Sequence, residues 1–166
     1  YDAGHYGDAL SVQEAQMSME RRLGSQEEEL LSVQSNLANT YSALGRNGEA
    51  LSMRRDVYSG LLKLKGEEHG ETLREANNYV STFMQLKRHT EAKRLAHKTL
   101  LVARRVLGES HELTLTMRMN YAMVILDDDG AKLDDIREAV TTIEDVERTA
   151  RRVFGGAHPF VRKIEA

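Results

Sequence analysis

No cysteine, no tryptophan and only a single proline, Pro159, occur in the 166 residues. Without cysteine there is no disulfide framework and no thiolate for catalysis or metal binding, which also points to an intracellular setting. With one proline, the residue that most often interrupts helices is nearly missing. Three Phe and six Tyr leave the core to Leu, Val, Ala and Met. No apolar run approaches the roughly 18 residues of a membrane span, and no secretory leader is visible. A glycine-rich phosphate loop is absent, and Leu115 stands where a zinc-protease helix beginning His111-Glu112 needs its second histidine. Scattered Ser, His and Asp residues form no triad. These absences predict a non-enzyme without cofactor or metal, in a cytoplasmic setting.

What is present is repetition. Gly66 to Leu107 forms a 42-residue stretch that recurs on both sides. A shift of 42 brings Gly24, Gly66 and Gly108 into register, and likewise Asn36, Asn78 and Asn120, Ala50 with Ala92, and His69 with His111. One insertion carries the pattern on to Gly155 and His158. Recurrence of chemically different residues at one period marks a helical repeat array. Inside the central unit, Leu73, Ala76, Val80, Phe83 and Leu86 lie in three- and four-residue steps, the apolar face of one helix. Lys87-Arg88-His89-Thr90 is a polar break, with Thr90 the expected N-cap. Ala92, Leu95, Ala96, Thr99, Leu100, Ala103, Val106 and Leu107 outline a second amphipathic helix, and Gly108 is expected to end it in a left-handed residue. Neither helix buries its apolar face alone, so neighbours must stack.

Residues 1–23 read as the second helix of a unit, entered through a turn at Gly4–Leu10 and amphipathic through Leu10, Met17 and Leu23. Residues 24–65 form a unit with helices near 28–44 and 48–64, and residues 66–107 form the next. Residues 108–154 form a third, with helices near 113–127 and 132–153. It is five residues longer, a surplus falling around Asp127-Asp128-Asp129-Gly130. Residues 155–166 open a further unit. The first residue is Tyr, and the sequence is expected to be a piece of a longer array.

The junctions carry a family resemblance. Leu23-Gly24, Leu107-Gly108-Glu109-Ser110-His111 and Phe154-Gly155-Gly156-Ala157-His158-Pro159 resemble the L-G-x-x-H-P junction of tetratricopeptide repeats of the nephrocystin-3-like and kinesin light chain type. Asn36-Leu37-Ala38-Asn39-Thr40-Tyr41, Leu44-Gly45 and Glu49-Ala50-Leu51 resemble the core of the same repeats. The resemblance implies an all-α fold of helical hairpins stacked into a right-handed superhelix. Its first helices would line a concave groove for a partner peptide. Departures are Val80 at a usually small position, Ile125 where Tyr41 and Phe83 stand in the other units, and the long third turn.

Asn36, Asn78 and Asn120 recur once per first helix, although asparagine is a mediocre helix-interior residue. An amide carries donors and an acceptor and so matches a peptide backbone. Alternatively, each amide ties its own helix pair together. Around them the resemblance places further groove positions: Ser32, Ser35, Asn39 and Ser42, then Arg74, Asn77, Ser81, Met84 and Gln85, then Thr116, Met119, Met123 and Asp127. That floor is expected to be small, neutral and polar, with an adaptable methionine patch at one end. Ser35, Thr116 and Asn120 stand where chaperone-binding repeats would carry cations for a terminal carboxylate, which argues against a chaperone-tail clamp.

His69, His111 and His158 each follow a junction glycine by three residues, too far apart along an array to share a metal. Hydrogen bonding at a helix start is their expected role. Asp127 to Gly130 lacks the alternating ligands of a calcium loop and reads as a solvated turn. The pairs Arg21-Arg22, Arg104-Arg105 and Arg151-Arg152 lie in last helical turns, where cations favour the helix dipole. Charge is uneven along the sequence, with residues 66–107 net +3 and residues 108–154 net −5 within a total of −3. No continuous basic stripe suits nucleic acid. The expected partner is a protein or peptide, with association between copies through the repeat ends as the rival, and with no membrane role.

Overall fold

The computed structural model describes residues 3–23 and 26–165. Eight helices occur among the described residues: α1 (Ala3–Leu23), α2 (Glu27–Ala43), α3 (Asn47–Lys65), α4 (Gly70–Gln85), α5 (His89–Leu107), α6 (Glu112–Leu126), α7 (Leu133–Phe154) and α8 (Pro159–Glu165). They fall into two compact units, residues 1–86 and residues 87–166.

Buried positions follow the sequence period, which is why the hairpins recur. Leu31, Leu73 and Leu115 are buried, as are Ala38, Val80 and Ala122, and Tyr41, Phe83 and Ile125. Val80 and Ile125 thus fill the same kind of site as the residues they replace. On the second helices Ala50, Ala92 and Ala139 are sealed from solvent. In the first unit Leu37, Tyr41 and Ala50 pack with Leu10, Met17 and Met53, while Leu31, Val57 and Leu61 form an adjoining cluster. Gly60 lets α2 and α3 approach closely, since a Cβ there would lie 2.6 Å from a Leu31 methyl carbon. In the second unit Leu115, Val146, Ala150 and Val161 form the core with Met119, Phe154, Phe160 and Ile164 around it. A second cluster joins Ala122, Ile125 and Ala139.

Helix ends show the periodic chemistry. His69 Nδ1 accepts the Glu71 amide at 3.3 Å, His111 Nδ1 that of Leu113 at 3.1 Å, and His158 Nδ1 that of Phe160 at 3.3 Å. Each histidine therefore occupies one of the amides left orphaned in a first turn. Gly66, Gly108 and Gly155 close α3, α5 and α7 at φ of 86°, 89° and 81° with ψ of 171°, 163° and 154°. The φ is positive as expected, but ψ lies outside the left-handed helical basin, in a region essentially restricted to glycine. Gly24 lies outside the described residues.

Three expectations are corrected. The turn at Gly4–Leu10 is helical, because α1 already starts at Ala3. Thr90 is not an N-cap: Lys87 alone makes the reversal, at φ 55°, so α5 starts at His89 with Arg88 before it, and no side group caps that end. The long third unit does not confine its surplus to one turn. The connection between α6 and α7 covers residues 127–132, against 86–88 between α4 and α5, and α7 has 22 residues against 19 in α5. Asp128 organises that connection, its carboxylate accepting the Gly130 amide at 3.0 Å and its carbonyl the Ala131 amide at 2.9 Å. Lys87 donates to Asp127 at 2.7 Å and holds its carboxyl below the usual range, with His89 Nδ1 at 3.6 Å from the same carboxylate.

Candidate functional site

The first unit carries a cavity of about 380 Å³ between α2, α3 and α4. Helical periodicity builds its walls. Glu28, Ser32, Ser35, Asn36 and Asn39 come from successive turns of one face of α2, and Glu71, Arg74, Glu75 and Asn78 from the facing side of α4. Leu31, Val57 and Leu61 supply an apolar back wall. Of the expected groove residues, Asn36, Asn39, Arg74 and Asn78 are thereby brought together, along with Ser32 and Ser35.

Other expected residues fall elsewhere. Asn77 is buried outside the cavity lining, and Ser81 donates to the Asn77 carbonyl at 3.2 Å. Gln85, the last residue of α4, is exposed and lines no part of this cavity. In the second unit Met119 and Asn120 line a cavity of about 330 Å³ with Thr116, Phe160, Lys163 and Ile164. Met123 is exposed and stands outside that lining.

The floor of the first cavity is not neutral. Arg54 of α3 and Glu75 of α4 form an ion pair at 3.1 Å with side chains 4% and 3% exposed. Arg54 Nη1 donates to both Glu75 oxygens, Arg54 Nη2 donates to Asn39 Oδ1 at 2.5 Å, and Ser35 Oγ donates to Glu75 Oε2 at 2.8 Å. Burial of two charges costs several kcal/mol per ion unless each is paired and hydrogen-bonded; this cluster supplies the pairing and most of the hydrogen bonds, with Arg54 Nε buried without a partner. At the rim, Lys65 Nζ lies 2.6 Å from both Glu28 and Glu71. Those two hydrogen bonds raise the Lys65 pKa, and the lysine in turn lowers that of Glu71. The floor therefore carries charge in compensated groups, with Arg74 exposed beside them.

Reading the sequence helix by helix misses Arg54 and Glu75, since isolated charges among Arg55 and Asp56 resemble a solvated face. The repeat period holds the signal. Glu75 falls in register with Val33 and Met117, and Arg54 with Ala96, all buried. A charged residue at a position that other repeats keep apolar announces a buried pair.

The three recurrent asparagines differ in how they are engaged. Neither the Asn36 nor the Asn78 side-group amide is engaged by any protein group among the described residues. Asn36 and Asn78 use their backbone carbonyls to accept Thr40 and Thr82 hydroxyls, at 3.3 Å and 3.2 Å. Asn120 does engage a partner within the protein. No group of histidine and carboxylate residues among the described ones is arranged to hold a metal. No described helix is long and apolar enough to cross a membrane.

Comparison with known proteins places this geometry. The tetratricopeptide repeat family model matches residues 30–69 and 72–112. The nearly identical TPR-like repeats of a Podosopora anserina protein of the kinesin light chain kind superpose with a TM-score of 0.75 at 20% identity, covering 90% of this sequence and 68% of that one. A second structure of those repeats gives 0.73 at 19%, covering 91% and 70%. BtubC (BKLC) from P. vanneervenii gives 0.79 at 17%, covering 97% of this sequence and 63% of its own. No curated protein sequence matches this one. Residues 30–69 and 72–112 therefore match tetratricopeptide repeats, and the fold is that of the kinesin light chain-like arrays. Repeats of this family serve generally as protein–protein interaction scaffolds.

Proposed function

We propose that the protein is a non-catalytic interaction module whose first unit holds a partner peptide in the cavity between α2, α3 and α4. The observation that carries this reading is the state of Asn36 and Asn78. Both line the cavity, and their amides are not spent on the fold, whereas an amide that tied its own helix pair would be. A peptide backbone offers the alternating donors and acceptors that such amides match. Ser35, which stands where a carboxylate-binding cation would be, instead donates to the protein's own Glu75. That arrangement disfavours a ligand held by its terminal carboxylate at this point. Met119 and Asn120 of the second unit form a further candidate contact surface, beside Phe160 and Ile164.

The test is titration of the isotope-labelled protein with a peptide enriched from a random library. The NH₂ resonances of Asn36 and Asn78 should shift together, ahead of those of Asn47, which lies at the start of α3 outside the cavity. A saturable peptide that leaves both resonances unmoved overturns the assignment.

A second reading, association between copies, is favoured by one observation. Val12 and Met19 of α1 are 67% and 53% exposed, an apolar strip of the kind that favours association. Sedimentation across a concentration series separates the two readings, because self-association raises the mass without any peptide.

A further inference from the structure

We infer that the cavity of the first unit reads hydrogen-bond polarity along a bound backbone, offering a donor at Asn39 and an acceptor at Ser35, and that the buried Arg54–Glu75 pair fixes this polarity. The inference rests on the cavity being the peptide site.

An asparagine amide ordinarily presents either end to a ligand, and a serine hydroxyl either donates or accepts. Here both choices are made by buried charges. A guanidinium has no acceptor, so the Asn39 atom that faces Arg54 Nη2 at 2.5 Å is the carbonyl oxygen. The Asn39 NH₂ group is then the end left for the cavity, where this residue is exposed. A carboxylate paired with arginine has no proton to give, so the single hydroxyl proton of Ser35 goes to Glu75 Oε2 at 2.8 Å. The lone pairs on Ser35 Oγ are then left as acceptors only.

Reorienting either group requires breaking a contact to a charge buried to within 4% of full enclosure. Hydrogen bonds to charged groups are about twice as strong as neutral ones. Ser35 and Asn39 lie four residues apart on α2, a rise of about 6 Å along the axis. Two residues of an extended peptide advance roughly 6.6 Å. Each same-edge residue of such a peptide presents both an N–H and a carbonyl, so that edge has a backbone N–H to give Ser35 and a backbone carbonyl to accept from Asn39. Arg54 and Glu75 are positioning residues, acting on the ligand through Asn39 and Ser35.

The experiment uses the whole protein and a peptide enriched from a random library. Each backbone amide of the peptide is replaced in turn by an ester, which deletes one N–H donor. One ester position should weaken binding to the unaltered protein about tenfold, and should have no further effect on Ser35→Ala. Asn39→Asp, which offers Arg54 the same oxygen but turns the donor end into an acceptor, should weaken binding at least tenfold with helicity unchanged. Arg54→Lys still presents only donors and should keep the ester pattern. If Asn39→Asp binds as well as the parent, or if no ester position couples to Ser35→Ala, the polarity reading is wrong. Loss of binding in Asn78→Ala alongside either result leaves the peptide site standing without it. If Asn36→Ala and Asn78→Ala both leave affinity unchanged, or no peptide is enriched, the peptide site falls and the polarity reading with it.

Discussion

Arg54 and Glu75, on consecutive helices α3 and α4, bury a guanidinium and a carboxylate 3.1 Å apart behind side chains 4% and 3% exposed. Removing one partner strands the other charge. Arg54→Met should therefore cost about 3–5 kcal/mol, while an apolar pair such as Arg54→Met with Glu75→Leu should recover most of it. Urea titration of the parent and both variants checks this, and equal losses for the single and double changes would show that packing volume, not charge, dominates.

Ala92 is sealed from solvent on α5, whereas Ala9 on α1 is only partly buried. In an array each hairpin is stabilised by its neighbours, so overpacking an enclosed contact is costly. Ala92→Leu should lose about 1–3 kcal/mol, and Ala9→Leu clearly less. Similar shifts in denaturation midpoint at both sites would contradict that account.

His111 caps α6 through its Nδ1, which accepts the Leu113 amide at 3.1 Å. His111→Ala should cost about 0.5–2 kcal/mol, and His111→Asp, which restores an acceptor, much less. Thermal unfolding of both variants measures the difference. An alanine variant as stable as the parent would assign the recurrent histidine to something other than capping.

The hairpins were legible in the sequence because one period repeats residues of different chemistry, and the buried set then follows from which face of each helix recurs. The junction histidines were legible for the same reason. Helix starts were harder. Lys87 takes a positive φ without being glycine, and nothing in its chemistry announces that, so α5 begins before the expected cap. The cavity was half legible: Asn36 and Asn78 announce themselves by recurrence, whereas Arg54 and Glu75 announce themselves by breaking it. Asn77 falls outside the cavity because helix phase separates it from Asn78, whereas Gln85 shares the phase of Asn78 but lies two turns on, at the end of α4.

Asp145 is held below the ordinary carboxylate range by its hydrogen bond to Arg118 at 2.7 Å, then by Arg148. A carboxylate whose pKa is lowered by folding contributes stability above its unfolded value, near 3.9, and loses it as pH falls through the lower folded value. The urea midpoint of Asp145→Asn should lie below that of the parent at neutral pH. The gap should close as the pH falls below the usual aspartate range. A gap that stays constant down to strongly acidic pH would mean that the pair contributes through shape rather than charge.

The most direct measurement compares peptide affinity in Asn78→Ala and Lys98→Ala. Asn78 lines the first cavity with its NH₂ and carbonyl ends unengaged, while Lys98 sits exposed on α5 and belongs to no cavity lining described above. Removing an amide that pairs with a buried backbone group costs about 1–3 kcal/mol, a roughly five- to hundred-fold loss of affinity. Isothermal titration with a library-enriched peptide should show that loss for Asn78→Ala, parent-like binding for Lys98→Ala, and unchanged helicity in both. Equal weakening by Lys98→Ala, or unfolding of the Asn78→Ala variant, would contradict the account and make the asparagine a structural residue.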